Sequence, residues 1–165
     1  RLGSEGYPHR VVNASISGDT TRGALARLPR ALEIHDPGIV VIELGGNDGL
    51  RGFPHEVMRD NLVELVRLSR ESGARVLLLG MRIPANYGPA YTERFHQVFV
   101  DIAREREVPF LPFFLDGVAL KPEMMQDDGI HPNAGAQERM LENIWPALEG
   151  LLAASDGPAK NAGAK

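Results

Sequence analysis

In Asp128-Gly129-Ile130-His131 a carboxylate and an imidazole stand three positions apart, with a glycine between them to allow a tight turn. A carboxylate that close can hold one ring nitrogen, fix the tautomer and leave the other nitrogen as a general base. Two other readings fit the same residues. One is a metal site built from Asp127, Asp128 and His131, although no second histidine or carboxylate cluster stands at ligand spacing. The other is a helix cap beside a surface histidine. His9, His35, His55 and His96 sit in loops or on helices, none with a carboxylate in a comparable turn.

A second candidate lies in Gly45-Gly46-Asn47-Asp48-Gly49. The Asn47 amide carries no charge and can donate two hydrogen bonds, which suits a developing oxyanion. The competing reading is a turn in which Asn and Asp satisfy nearby backbone. A base and an oxyanion donor need a nucleophile. The serines are Ser4, Ser15, Ser17, Ser69, Ser72 and Ser155, none in a Gly-x-Ser-x-Gly elbow. Ser69 and Ser72 belong to the end of a helix and Ser155 to the tail. Ser15 and Ser17 read better as loop or cap residues, and Ser4 precedes the first strand. The residues therefore supply a base, its orienting acid and an oxyanion donor, but no convincing nucleophile.

These groups need elements to hold them. Ile39-Val40-Val41-Ile42-Glu43-Leu44 is short, β-branched and apolar, the pattern of a strand buried on both faces of a parallel sheet. It runs into the glycine-rich loop, so Asn47 would sit at the carboxyl end of a strand, where open α/β sheets place ligands. Arg10 to Ala14 reads as a short strand and Ser15 to Thr20 as a loop, with Asp19 or Thr20 capping a helix to about Ile34. That helix presents Ala24, Leu25, Leu28, Ala31 and Leu32 on one face, and Pro29 is expected to kink or divide it. A helix from about Pro54 to Ser72 buries Met58, Leu62, Leu65 and Val66. Arg75 to Leu79 is a buried strand, and Gly80 to Pro89 a loop. From about Ala90 to Arg106, Phe95, Val98, Phe99, Ile102 and Ala103 form an amphipathic stripe. Val108 to Leu111 is a short strand, and Pro112 to Gln126 an apolar loop. A last helix from about Asn133 to Leu152 turns Met140, Leu141, Ile144, Leu148 and Leu151 to the core, with Pro146 expected to bend or interrupt it. The alternation predicts a parallel sheet covered by helices.

The chain has 165 residues, enough for one domain, which we place at 1–154, with a polar, disordered tail over 155–165. A net charge of −4 without a basic stripe argues against nucleic acid as a partner. The absence of cysteine excludes disulfide and thiolate chemistry, and no apolar run reaches membrane-span length. The first residue is Arg rather than Met, so localisation cannot be read from that end. A nucleotide-binding reading of a flavodoxin-like sheet lacks a Gly-x-Gly-x-x-Gly loop. The apolar loops at Ile83 to Tyr87 and Phe113 to Leu120 could line an acyl-chain groove or simply pack as core.

Three long blocks in order resemble the SGNH (GDSL) hydrolases, in the subgroup of bacterial thioesterases, lysophospholipases and arylesterases. They are Asn13-Ala14-Ser15-Ile16-Ser17-Gly18-Asp19-Thr20, Glu43-Leu44-Gly45-Gly46-Asn47-Asp48-Gly49-Leu50-Arg51-Gly52 and Met125-Gln126-Asp127-Asp128-Gly129-Ile130-His131-Pro132-Asn133. Arg82-Ile83-Pro84-Ala85-Asn86-Tyr87-Gly88 and Leu111-Pro112-Phe113-Phe114 look like the same subgroup. The resemblance implies a three-layer α/β/α, flavodoxin-like fold and hydrolysis of carboxylic esters and thioesters through an acyl-serine, without metal or other cofactor. Carried over, Gly18 would offer a backbone N–H and Asn47 its amide to the oxyanion, with His131 as base and Asp128 as its partner. A small acyl ester or thioester would be the substrate, and the location periplasmic or secreted.

The departure lies at the start. The family's Gly-Asp-Ser-Leu block, on the turn after its first strand, is missing, and Ser4 does not replace it. By resemblance that strand lies between the strands ending at Ala14 and at Leu44, and its loss would leave inner edges unpaired. The chain is therefore expected to be an N-terminally incomplete esterase, inactive alone. The alternative is a non-catalytic remnant that binds an acyl ligand or a partner.

Overall fold

The computed structural model describes residues 1–153, so the expected tail lies outside the described residues. Among the described residues three parallel strands form the sheet in the order β1 (Ile39–Ile42), β2 (Arg75–Leu79), β3 (Phe110–Leu111). The helices are α1 (Thr21–His35), α2 (Gly46–Leu50), α3 (His55–Glu71), α4 (Pro89–Glu105) and α5 (Gln137–Ala153).

The central strand shows how the layers arise. Successive side chains of a strand point to opposite faces. Val76 and Leu78 enter a core with Met58, Leu62, Leu65 and Val66 of α3 and Phe95, Phe99 and Ile102 of α4. Leu77 and Leu79 enter a second core, with Ile144, Leu148 and Leu151 of α5. Helices thus cover both faces, the expected three layers. On the first face Phe95 and Phe99 meet edge to face at 5.4 Å and are fully buried. Such a pair adds about 1 kcal/mol beyond the burial itself. A third, smaller core gathers Leu115, Val118 and Ala136 with Phe113, Met124 and Met140.

Several expectations need correction. Arg10 to Ala14 forms no strand and is exposed, Val11 to 75%. A strand needs a ladder partner, and among the described residues none pairs with this segment. Among the described residues the other side of β1 is likewise open: β1 pairs with β2 alone, and Val41 is 42% exposed. The glycine-rich loop after β1 is wound into α2, so Asn47 stands on a short helix. Pro29 and Pro146 do not divide their helices. Each costs a backbone hydrogen bond, which the packing of α1 on α3 and of α5 on the sheet outweighs. Leu141 is 37% exposed, and the buried residue of that stretch of α5 is Trp145. Trp145 packs edge-on against Tyr7 and lies under the Arg1 guanidinium, which ties the first residues to α5.

Candidate active site

The turn at Asp128 forms as its spacing requires. Asp128 Oδ1 accepts from the backbone N–H of Ile130 at 2.9 Å and of His131 at 3.0 Å, and Oδ2 accepts from His131 Nδ1 at 2.7 Å. The His131 and Ile130 amides and the ring draw the Asp128 carboxyl down to about 2 from its ordinary 3.8, with the His131 amide the largest influence. Asp128 therefore stays ionised and accepts a proton-bearing Nδ1, the tautomer assigned from this bond, which leaves the Nε2 lone pair outward. Around the turn, Gln126 N–H donates to His131 O at 2.8 Å, and Asn133 Nδ2 donates to the carbonyls of Glu123 and Met125. Both side chains remain open to solvent.

Gly18 and Asn47 are joined through two long-range bonds. Asn47 Nδ2 donates to Asp19 O at 2.9 Å, and Arg51 Nη2 donates to Gly18 O at 3.0 Å. Only one of the two Asn47 amide hydrogens is used in this way, so the other can face a ligand. The Gly18 N–H makes no hydrogen bond among the described residues. Gly18 has φ +75°, a conformation that a side chain would strain. Asp19 is fixed in turn by Arg27 at 2.6 Å, and Thr20 caps α1 by accepting from Gly23 N–H.

Beneath Asn47 lies a buried network the sequence reading did not find. Asp48, 2% exposed, accepts from Thr21 N–H at 2.9 Å and Thr21 Oγ1 at 2.6 Å, and Thr21 Oγ1 accepts from Asn61 Nδ2 at 3.0 Å. These bonds lock α2 to the first turn of α1 and to α3. One signal was present: Asn61 stands three residues after Met58 and four before Leu65, a polar side chain beside a buried stripe.

The two pairs remain separate. Among the described residues no hydrogen bond or ion pair links Asp128 or His131 to Gly18 or Asn47. The segments that carry them start at the same rim, since α2 follows the carboxyl end of β1, and the Pro112 stretch that of β3. Phe114 N–H ties that stretch to Gly80 O at the end of β2. No serine hydroxyl among the described residues bonds the His131 ring. Ser69 is fully buried and donates to Leu65 O, Ser72 donates to Ser69 O, and Ser4 donates to Arg1 O. Ser15 and Ser17 are exposed, and Ser155 lies outside the described residues. No group of three or more His, Cys, Asp or Glu among the described residues could hold a metal. Of the apolar loops, Ile83, Leu115 and Val118 are buried as core, whereas Tyr87 and Leu120 are exposed.

The profile of the GDSL-like Lipase/Acylhydrolase family matches residues 1–139. The chain is 54% identical over 152 residues to Esterase TesA of Pseudomonas aeruginosa, covering 92% of this chain and 76% of that one. It is 52% identical over 142 residues to Thioesterase 1/protease 1/lysophospholipase L1 of Escherichia coli (strain K12), covering 86% of this chain and 68% of that one. A crystal structure of TesA superposes with a TM-score of 0.89 at 53% identity, over 91% of this chain and 83% of that one. Sequence blocks, sheet and helical layers thus agree, and this chain belongs to the GDSL-like lipase/acylhydrolase family of hydrolases.

Proposed function

We propose that this chain carries the base and oxyanion-binding half of a serine esterase or thioesterase for small acyl esters. The observation that carries the reading is the 2.7 Å bond between His131 Nδ1 and an Asp128 held ionised. In the complete reaction a serine Oγ attacks the acyl carbonyl while His131 Nε2 takes its proton. The imidazolium that forms is stabilised by Asp128. The carbonyl oxygen becomes an oxyanion, met by the Gly18 N–H and the second Asn47 amide hydrogen. Collapse expels the alcohol or thiol, to which His131 returns the proton. Water, deprotonated by His131, then attacks the acyl-serine, releasing the acid and restoring the hydroxyl.

The nucleophile, on this reading, comes from a strand that adds to the open edge of β1, beside Asn47. Support comes, among the described residues, from the β1 edge that pairs with no strand, the Arg10–Ala14 segment outside the sheet and the lack of a serine hydroxyl on the His131 ring. The names of the relatives, esterase and thioesterase/lysophospholipase, support the substrate class. The same likeness supports a periplasmic or secreted location, testable by fractionating the source cells. Among the described residues no helix is long and apolar enough to cross a membrane.

The test is to express the chain with and without the residues encoded upstream of Arg1, then assay p-nitrophenyl esters and label with an organophosphonate. The extended protein should show a burst and one labelled serine in the added segment. The chain as given should show neither. No label on the extended protein would favour a non-catalytic acyl-binding remnant. Burst and label on the 165-residue chain itself would refute the supplied-strand reading.

A further inference from the structure

A five-residue helix is marginal without outside support. At its carboxyl end the following turn meets only part of the need: Gly52 N–H donates to Gly49 O at 3.1 Å and Phe53 N–H to Asp48 O at 3.0 Å. Two tyrosines beyond it add side-chain donors: Tyr91 Oη donates to Gly49 O and Tyr87 Oη to Leu50 O, each at 2.9 Å. Gly49 lies so close to α4 that a Cβ there would come within 2.5 Å of the Phe95 ring. The helix carrying Asn47 is therefore seated on α4 and held from above by hydroxyls.

His55 braces this arrangement. It opens α3, is 8% exposed, and its ring lies 4.5 Å from that of Tyr91 and 6.1 Å from that of Phe95. Tyr87 is another ring contact of Tyr91, stacked at 6.0 Å. His55 Nε2 is buried with no hydrogen-bond partner. We infer that Tyr91, braced by His55, is a positioning residue for Asn47: its hydroxyl fixes the carboxyl end of α2 and so the direction from which the amide faces the reacting carbonyl. This rests on the reading of Asn47 as the oxyanion donor.

The brace holds only while His55 is neutral. Burial pushes the imidazole below its ordinary 6.5, Glu56 pulls the other way, and Arg94 adds to the lowering. Arg94 and Glu56 face each other at 3.5 Å on the surface, and the rings against His55 are Tyr91, a neutral phenol, and Phe95. A cation at His55 would gain some attraction from the Tyr91 ring but would strand a charged Nε2–H without an acceptor. A lowered histidine contributes stability that is present above pH 6.5 and is lost as pH falls through its folded value.

Amide hydrogen exchange on the chain as it stands tests this without any hydrolysis. At neutral pH, Tyr91→Phe should speed exchange of the Gly49 and Arg51 amides about tenfold while the Leu65 and Leu78 amides stay unchanged. Stepwise acidification below pH 6.5, corrected for intrinsic exchange, should loosen the same α2 amides in the parent and not in His55→Phe. Parent-like α2 exchange in Tyr91→Phe, a rise spread evenly over all helices, or an acid response surviving in His55→Phe would each overturn the inference. Failure of the oxyanion reading would appear elsewhere, as Asn47→Ala leaving hydrolysis by the extended protein intact.

Discussion

The two halves of the proposed site are held by opposite means. Asp128 and His131 sit in one four-residue turn, exposed, with all three Asp128 bonds made to Ile130 and His131. Gly18 and Asn47 are far apart in sequence and meet only because α1, α2, α3 and the loop before α1 are packed together around the buried Asp48. The first half is a local device that needs little of the fold. The second is a property of the whole first face of the sheet. A mutation in the turn should therefore cost chemistry and spare stability, whereas one beneath Asn47 should cost both.

The largest effect expected is at the turn. In the upstream-extended protein proposed above, His131→Ala should lower kcat by roughly 10⁴- to 10⁶-fold. Its free energy of unfolding in urea should change by less than about 0.5 kcal/mol, since the side chain is exposed. A large loss of stability would break the contrast. Next comes Asn47→Ala, expected to lower kcat about 10²- to 10³-fold with KM little changed, measured on p-nitrophenyl esters. A change confined to KM would remove Asn47 from the oxyanion role.

Asp48→Ala should behave differently from either. It strands the Thr21 amide and hydroxyl in a buried site and should cost about 2–3 kcal/mol in urea unfolding of the chain as given. Catalysis in the extended protein should fall with it, because α2 loses its anchor. Unchanged stability would show that the turn and the network are not opposites. The subtlest test is the acid titration of the turn. Asp128, drawn down to about 2, contributes stability that is present above 3.8 and lost as pH falls through about 2. Its carboxyl carbon should titrate near 2 by NMR, and a midpoint near 3.8 would mean the turn opens in solution.

The contrast also explains what could be read in advance. The strand Arg75 to Leu79, the stripe Phe95-Phe99-Ile102 and the cap at Thr20 rest on periodicity and local hydrogen bonding, which the residues carry themselves. The Asp128 turn is of the same kind. Arg10 to Ala14 failed as a strand because strand character needs a neighbour, and composition cannot show whether that neighbour is present. The stretch from Gly46 read as a loop because glycines dominate it, yet bonds from Arg51, Thr21 and Tyr91 hold it as a helix. His55 is set aside in the sequence for want of a carboxylate in a tight turn, yet it is enclosed by aromatic rings from α4.

Residue order alone determined the alternation of strands and helices, their apolar faces, the Asp128–His131 turn and the family likeness. Each of these depends on neighbours within a few positions or on a block of residues matched as it stands. The fold alone decided that Asn47 rides on a helix pinned to Asp19, that Asp48 is buried under it, and that one edge of β1 lies open among the described residues. Those features are contacts between segments distant along the chain, and such contacts exist only once the sheet has brought the segments together.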